Sequence, residues 1–259
     1  MPLSIILGLL LLFAWLGHLW SSGSTGQQTA ASQRTQPPPA DRTQGPPQSY
    51  FFYLFDVSRS MNTGAPDSPY RRAIPLLGSA IRALSGDEGP PAPQLHRVGT
   101  IGNMSLNQAI LCEINVPRRA VFRSTDTSAS ADSLRSCTSR LGALRPAEYT
   151  DISGGLKYAS LALQGNGGAA RGILMFTDLE EDLPSARETA IADLGGICIV
   201  VYYEITGNEP THPSDLDKRI ESWRTRFKAW HAQGSLFRLT SAFSPDDLNH
   251  FFTDCERGK

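Results

Sequence analysis

Tyr50-Phe51-Phe52-Tyr53-Leu54-Phe55-Asp56-Val57-Ser58-Arg59-Ser60-Met61 decides the fold: six consecutive large apolar or aromatic side chains end abruptly on an acid followed by two spaced serines. A strand with one wet face alternates apolar and polar residues. A short unbroken run instead marks a strand covered on both sides, the situation in a parallel sheet packed between helices. Working outward, the same texture recurs at His96 to Ile101, Ala109 to Ile114, Gly172 to Thr177, Ile197 to Tyr203 and Leu236 to Leu239. The body from residue 49 to 259 therefore reads as a single α/β domain with a mostly parallel central sheet and helices on both faces.

The intervening stretches carry helical spacing. Tyr70 to Leu84 is one, and Asp151 to Leu163 another, with Ile152, Leu156, Ala159 and Leu163 recurring three or four apart. Asp215 to His231 is the most amphipathic: Leu216, Ile220, Trp223, Phe227 and Trp230 share a stripe, while Lys218, Arg219, Glu221, Arg224 and Lys228 lie elsewhere. Those aromatics read as core and not as a binding groove. A last helix starts at Ser244, whose hydroxyl suits an N-cap, followed by Pro245 and two dipole-favoured acids, Asp246 and Asp247.

Ligands of open parallel sheets collect where the carboxyl ends of strands meet the following loops. Three polar clusters fall at such places: Asp56-Val57-Ser58-Arg59-Ser60 after the first strand, Tyr149-Thr150-Asp151-Ile152-Ser153 at a helix start, and Thr177-Asp178 after a third apolar run. Singly, each has a plainer reading. Ser58, Ser60 and Thr150 are ordinary turn or cap residues, and Asp151 and Asp178 ordinary first-turn acids.

Together they resemble the metal-ion-dependent adhesion site of von Willebrand factor type A (vWA) domains, in which Asp-x-Ser-x-Ser is followed by a distant Thr and a distant Asp. Asp56, Ser58, Ser60, Thr150 and Asp178 supply every member, and the likeness runs from about Tyr50 to the final helix. It implies a Rossmann-like vWA fold and a bound divalent cation, Mg²⁺ or alternatively Mn²⁺ or Ca²⁺. Ser58 and Ser60 would ligate directly, Thr150 directly or through water, and Asp56 and Asp178 would supply charge. A hydroxyl-rich donor set with few carboxylates suits magnesium, which keeps several waters. One coordination position is then left for an acidic side chain of a protein partner. The stretch before Thr150 is long for the family, and Ala131 to Arg145 implies an insertion or an elaborated helix.

Other chemistries fit poorly. A haloacid-dehalogenase-type phosphohydrolase needs a second acid two positions after its nucleophile, and here that position is Ser58. No G-x-S-x-G and no G-x-x-x-x-G-K-[ST] run is present, and His18, His96, His212, His231 and His250 have no serine partner nearby in sequence. The expectation is a protein-binding module and not an enzyme. The same fold acting as a scaffold subunit, its cation only stabilising loops, is the alternative. Glu180-Glu181-Asp182 reads as a solvated loop and helix start, and Arg59 as a surface residue.

Residues 1 to 20 include Pro2 to Trp20, free of Asp, Glu, Lys and Arg and near the lower length limit for crossing a bilayer. They read as a membrane anchor, with a cleaved secretory signal as the alternative, placing the domain outside the cytoplasm, tethered or secreted. Residues 21 to 48, rich in Ser, Gly, Gln and Pro, lack the apolar side chains that offset ordering and read as a flexible tether. Lys plus Arg number 24 against 25 for Asp plus Glu, so no broad field attracts nucleic acid, and a partner must be recognised locally. The four cysteines permit three pairings or buried free thiols. Closure of the loop between Cys112 and Cys137, which contributes about 3 kcal/mol in the chain-entropy model, favours that pair.

Overall fold

The computed structural model describes residues 47–103, 105–107, 110–119, 128–165, 170–184, 190–206 and 213–258. The segment read as an anchor and nearly all of the tether lie outside them. Among the described residues, no helix is long and apolar enough to cross a membrane.

The order of elements is β1 (Ser49–Asp56), α1 (Pro69–Ser85), β2 (Gln94–Ile101), β3 (Cys112–Val116), α2 (Ser128–Gly142), α3 (Ile152–Gln164), β4 (Ala170–Thr177), β5 (Cys198–Tyr203), α4 (Pro213–Ala229), β6 (Gly234–Leu239) and α5 (Pro245–Glu256). The strands form one six-stranded sheet in the order β3-β2-β1-β4-β5-β6. All neighbours run parallel except β3, which is antiparallel to β2. This is the doubly wound arrangement, with the first of the described strands near its centre and the topological switch beside it.

β1 is covered on both sides, as its composition requires. Phe51, Tyr53 and Phe55 join one core with side chains of α1, α2 and α5, while Tyr50, Phe52 and Leu54 join the other with α3 and α4. An aromatic ladder crosses the sheet: the Phe55 ring stacks on Phe176 at 4.7 Å, and Phe176 on Tyr202 at 5.6 Å. Because side chains alternate sides along a strand, a one-residue slip would turn these rings to the opposite face, so the ladder helps fix the register. Trp223, Phe227 and Trp230 are buried against the α3 and α4 side, the core role expected of them.

Several sequence expectations are corrected in detail. The third strand runs from Cys112 to Val116 rather than ending at Ile114, and its burial alternates because it sits at the sheet edge, with only Ile114 and Val116 buried. Of the two readings of Ala131 to Arg145, the helix is the one found: the region is largely α2, which packs Cys137 and Leu141 into the core. Asp151, not Thr150, caps α3, its carboxylate accepting from the Gly154 amide at 2.9 Å. At α1, Ser68 is the N-cap and Pro69 begins the helix, where a missing amide costs nothing. At α5, Ser244 caps as expected. Both disulfides are formed, Cys112 with Cys137 and Cys198 with Cys255.

Gly99 on β2 is a position where backbone approach matters: a Cβ there would lie 2.8 Å from Phe52 Cε1 and 3.2 Å from its Cζ. Phe52 is fully buried and held edge-on by Tyr158 at 5.8 Å, so it has nowhere to retreat. Gly99→Ala should therefore overpack the core and destabilise by about 1 to 3 kcal/mol, read as a lower denaturation midpoint in urea with an unchanged slope.

Candidate functional site

The three polar clusters meet at the carboxyl end of the sheet, between its two central strands. Parallel pairing sets Phe55 opposite Phe176, so the chain leaves β1 at Asp56 beside the place where it leaves β4 at Thr177 and Asp178. The segment before α3 is laced between them. The Ala147 amide donates to Val57 O at 2.7 Å, and Thr150 exchanges two backbone bonds with Asp182, at 2.8 and 3.0 Å. Asp56, Ser58, Thr150 and Asp178 are all buried, the two carboxylates completely.

Each carboxylate is oriented in the same way. The Ser58 amide donates to Asp56 Oδ1 at 2.8 Å, and the Glu180 amide donates to Asp178 Oδ1 at 3.0 Å. Each acid thus folds its own following turn, the usual behaviour of Asp after a strand. The second oxygen of each receives a threonine hydroxyl: Thr177 Oγ1 to Asp56 Oδ2 at 2.7 Å, and Thr206 Oγ1 to Asp178 Oδ2 at 3.0 Å. Thr177 belongs to the third polar cluster of the sequence but not to its expected ligand set, and Thr206 belongs to neither. Ser58 Oγ and Ser60 Oγ lie 3.1 Å apart.

Electrostatically the cluster calls for positive charge. Burial pushes the Asp56 carboxyl up to about 7, and the nearby Asp178 carboxylate adds to the rise, against the lowering effect of the bonds from Ser58 and Thr177. Two acids in one dry cup cannot both ionise cheaply without a counter-charge. The donor chemistry fits a small hard cation: neighbouring ligands of an octahedral magnesium at 2.0–2.1 Å are about 2.9 Å from one another, close to the Ser58–Ser60 separation. Among the described residues there is no group of three or more His, Cys, Asp or Glu suited to a metal, so any such site depends on hydroxyls.

The acidic run after Asp178 departs from its sequence reading. The Glu181 side chain is only 9% exposed and pairs with Arg226 at 2.7 Å, while Glu180 pairs with Arg219 at 2.8 Å. No helix starts at residues 180–184. Beside the cluster, a surface cavity of about 430 Å³ opens between Val57, Asn103, Leu144, Arg145 and Ala147.

No family model matches the chain, and no curated protein does. Solved structures similar to it include a von Willebrand factor type A protein from Catenulispora acidiphila, at 14% identity and TM-score 0.40, over 82% of this chain and 43% of that one. Another is the conserved hypothetical protein BatB from Bacteroides thetaiotaomicron, at 14% identity and TM-score 0.44, over 81% of this chain and 99% of that one. A third is the manganese-loaded TRAP protein of Plasmodium vivax, at 13% identity and TM-score 0.40, over 81% and 74%. The chain spans less than half the length of the first. At these levels of likeness, what the site can do is read from its own geometry.

The raised Asp56 carboxyl has a testable sign. Between about pH 4 and 7 the unfolded chain ionises this group while the folded chain holds its proton, so the stabilising contribution is complete below about pH 4 and is lost as pH rises through about 7. In chelator, the thermal midpoint should carry such a declining component. Asp56→Asn should remove it, and magnesium should raise the wild-type midpoint more at pH 8 than at pH 5.

Proposed function

We propose that this chain is a vWA-type protein-binding module in which Asp56, Ser58, Ser60, Thr150 and Asp178 hold a divalent cation, magnesium in the first instance, that bridges to a carboxylate of a partner protein. The observation that carries the reading is the convergence of three segments far apart in sequence on one cluster of hydroxyls and two buried acids, one of them pushed toward neutrality by its burial and, secondarily, by the other. The cation would supply the missing positive charge and, through an open coordination position, a point of attachment for an acidic side chain. The protein's own part is to hold the ligands still: Thr177 and Thr206 turn the two carboxylates, and the Ser58 and Glu180 amides lock them.

The apolar segment Pro2 to Trp20 and the tether that follows it fit a membrane-anchored module working outside the cytoplasm, a setting in which two disulfides are at home. Residues 49–259 would then be the working domain.

A partner identified by crosslinking, then bound to the full chain without crosslinker, should be released by EDTA and rebound on adding magnesium or manganese. Retention in chelator would instead support the scaffold role. Asp178→Ala should abolish both cation uptake and partner capture, with circular dichroism checking that the fold survives the loss of this buried, hydrogen-bonded carboxylate.

A further inference from the structure

The loop that carries Asp178 is gripped along its length by one face of α4. Arg219 donates to Asp178 O at 2.8 Å and pairs with Glu180, and Trp223 Nε1 donates to Leu179 O at 3.0 Å. Arg226 pairs with Glu181 and lies over the Trp223 ring, 4.5 Å from its centre. Residues 219, 223 and 226 are spaced four and three apart, so they share a helical face. The loop they hold contains Leu179 at φ 64, a left-handed conformation that a side chain this large seldom adopts and that needs support from its surroundings.

Glu181 adds a second contact that leads elsewhere. Its other oxygen, Oε1, accepts the Ser153 amide at 2.7 Å, one of the unsatisfied donors in the first turn of α3. One nearly buried carboxylate therefore joins α4, the Asp178 loop and the helix that begins just after Thr150. With the two backbone bonds between Thr150 and Asp182, it fixes the separation of two of the three segments that form the site.

We infer that Glu181, clasped by Arg226, is a positioning residue that sets the spacing between the Thr150 and Asp178 segments and through it the affinity for the cation, an inference that rests on the cation reading above. Glu181 touches no ligand itself. It acts through the loop and the helix start it ties together, and groups that orient metal ligands in this way typically change affinity by about 10- to 100-fold when removed.

The test is magnesium titration calorimetry on the full chain in mild detergent, paired with thermal melts in EDTA. Glu181→Ala should weaken magnesium binding about tenfold, and Glu181→Gln, whose amide oxygen still accepts the Ser153 amide but forms no ion pair, by about threefold. A role confined to fold stability would lower the melting point in EDTA and leave magnesium affinity at the wild-type value, and that result overturns the proposal. Should Glu181→Ala not fold, an unchanged affinity in Glu181→Gln overturns it equally. Asp178→Ala separates the two levels: if wild type and Asp178→Ala take up magnesium alike, or wild type takes up none, the cation reading fails and this inference falls with it. If Asp178→Ala alone loses binding, only the role of Glu181 is refuted.

Discussion

Two carboxylates forced together at the end of neighbouring parallel strands are the constraint on which the rest of this structure turns. β1 and β4 are adjacent because the winding of the chain reverses beside β1, and their register brings Asp56 alongside the Thr177-Asp178 turn. The cost of burying the acids, and secondarily of crowding them, shows in the elevated Asp56 carboxyl. Thr177, Thr206 and two backbone amides donate to the acids, but the arginines nearby, Arg219 and Arg226, are committed to the Asp178 backbone and to Glu180 and Glu181. Hydrogen bonds aim the carboxylates, while the two guanidinium groups hold the Asp178 carbonyl and the neighbouring glutamates. In the proposed role, a cation from solution would supply the balancing charge.

The packing beneath explains how such an unfavourable cluster is tolerated. Strands buried on both faces give the sheet a rigid edge, and the stacked Phe55, Phe176 and Tyr202 rings lock the three strands under the site into one register. The same rigidity lets Leu179 hold a left-handed backbone: its amide is taken by Thr177 Oγ1 at 3.1 Å, its carbonyl by Trp223, and its side chain by the core. Local cost at the loop is offset by a frame that cannot follow it.

Much of this was legible in the sequence because the signals were chemical and local. Six apolar residues ending on Asp-x-Ser-x-Ser specify a buried strand and a polar loop at once, and the apolar stripe of α4 gave its core face directly. What escaped depended on tertiary neighbours. The edge strand Cys112–Val116 buries only alternate residues, so the stronger apolar signal of Ile110 and Leu111 drew the boundary too early. Thr150 and Asp151 are both good caps in isolation, and only the path of the chain, with Thr150 tied to Asp182, decides between them. Glu181 looked like a solvated charge because Arg226 lies 45 residues away along the chain, and Thr206 carries no pattern that marks it as a partner of Asp178.

The placement of the chain ends has its own consequence. Ser49 opens the central strand at the pole opposite the acid cluster, about 25 Å away for eight extended residues. The Cys198–Cys255 bond draws the end of α5 to the start of β5, at that same far pole. Both exits of the folded body thus lie on its underside. Within the described residues, the rim that carries the acid cluster is the end of the sheet remote from both Ser49 and the Cys198–Cys255 bond.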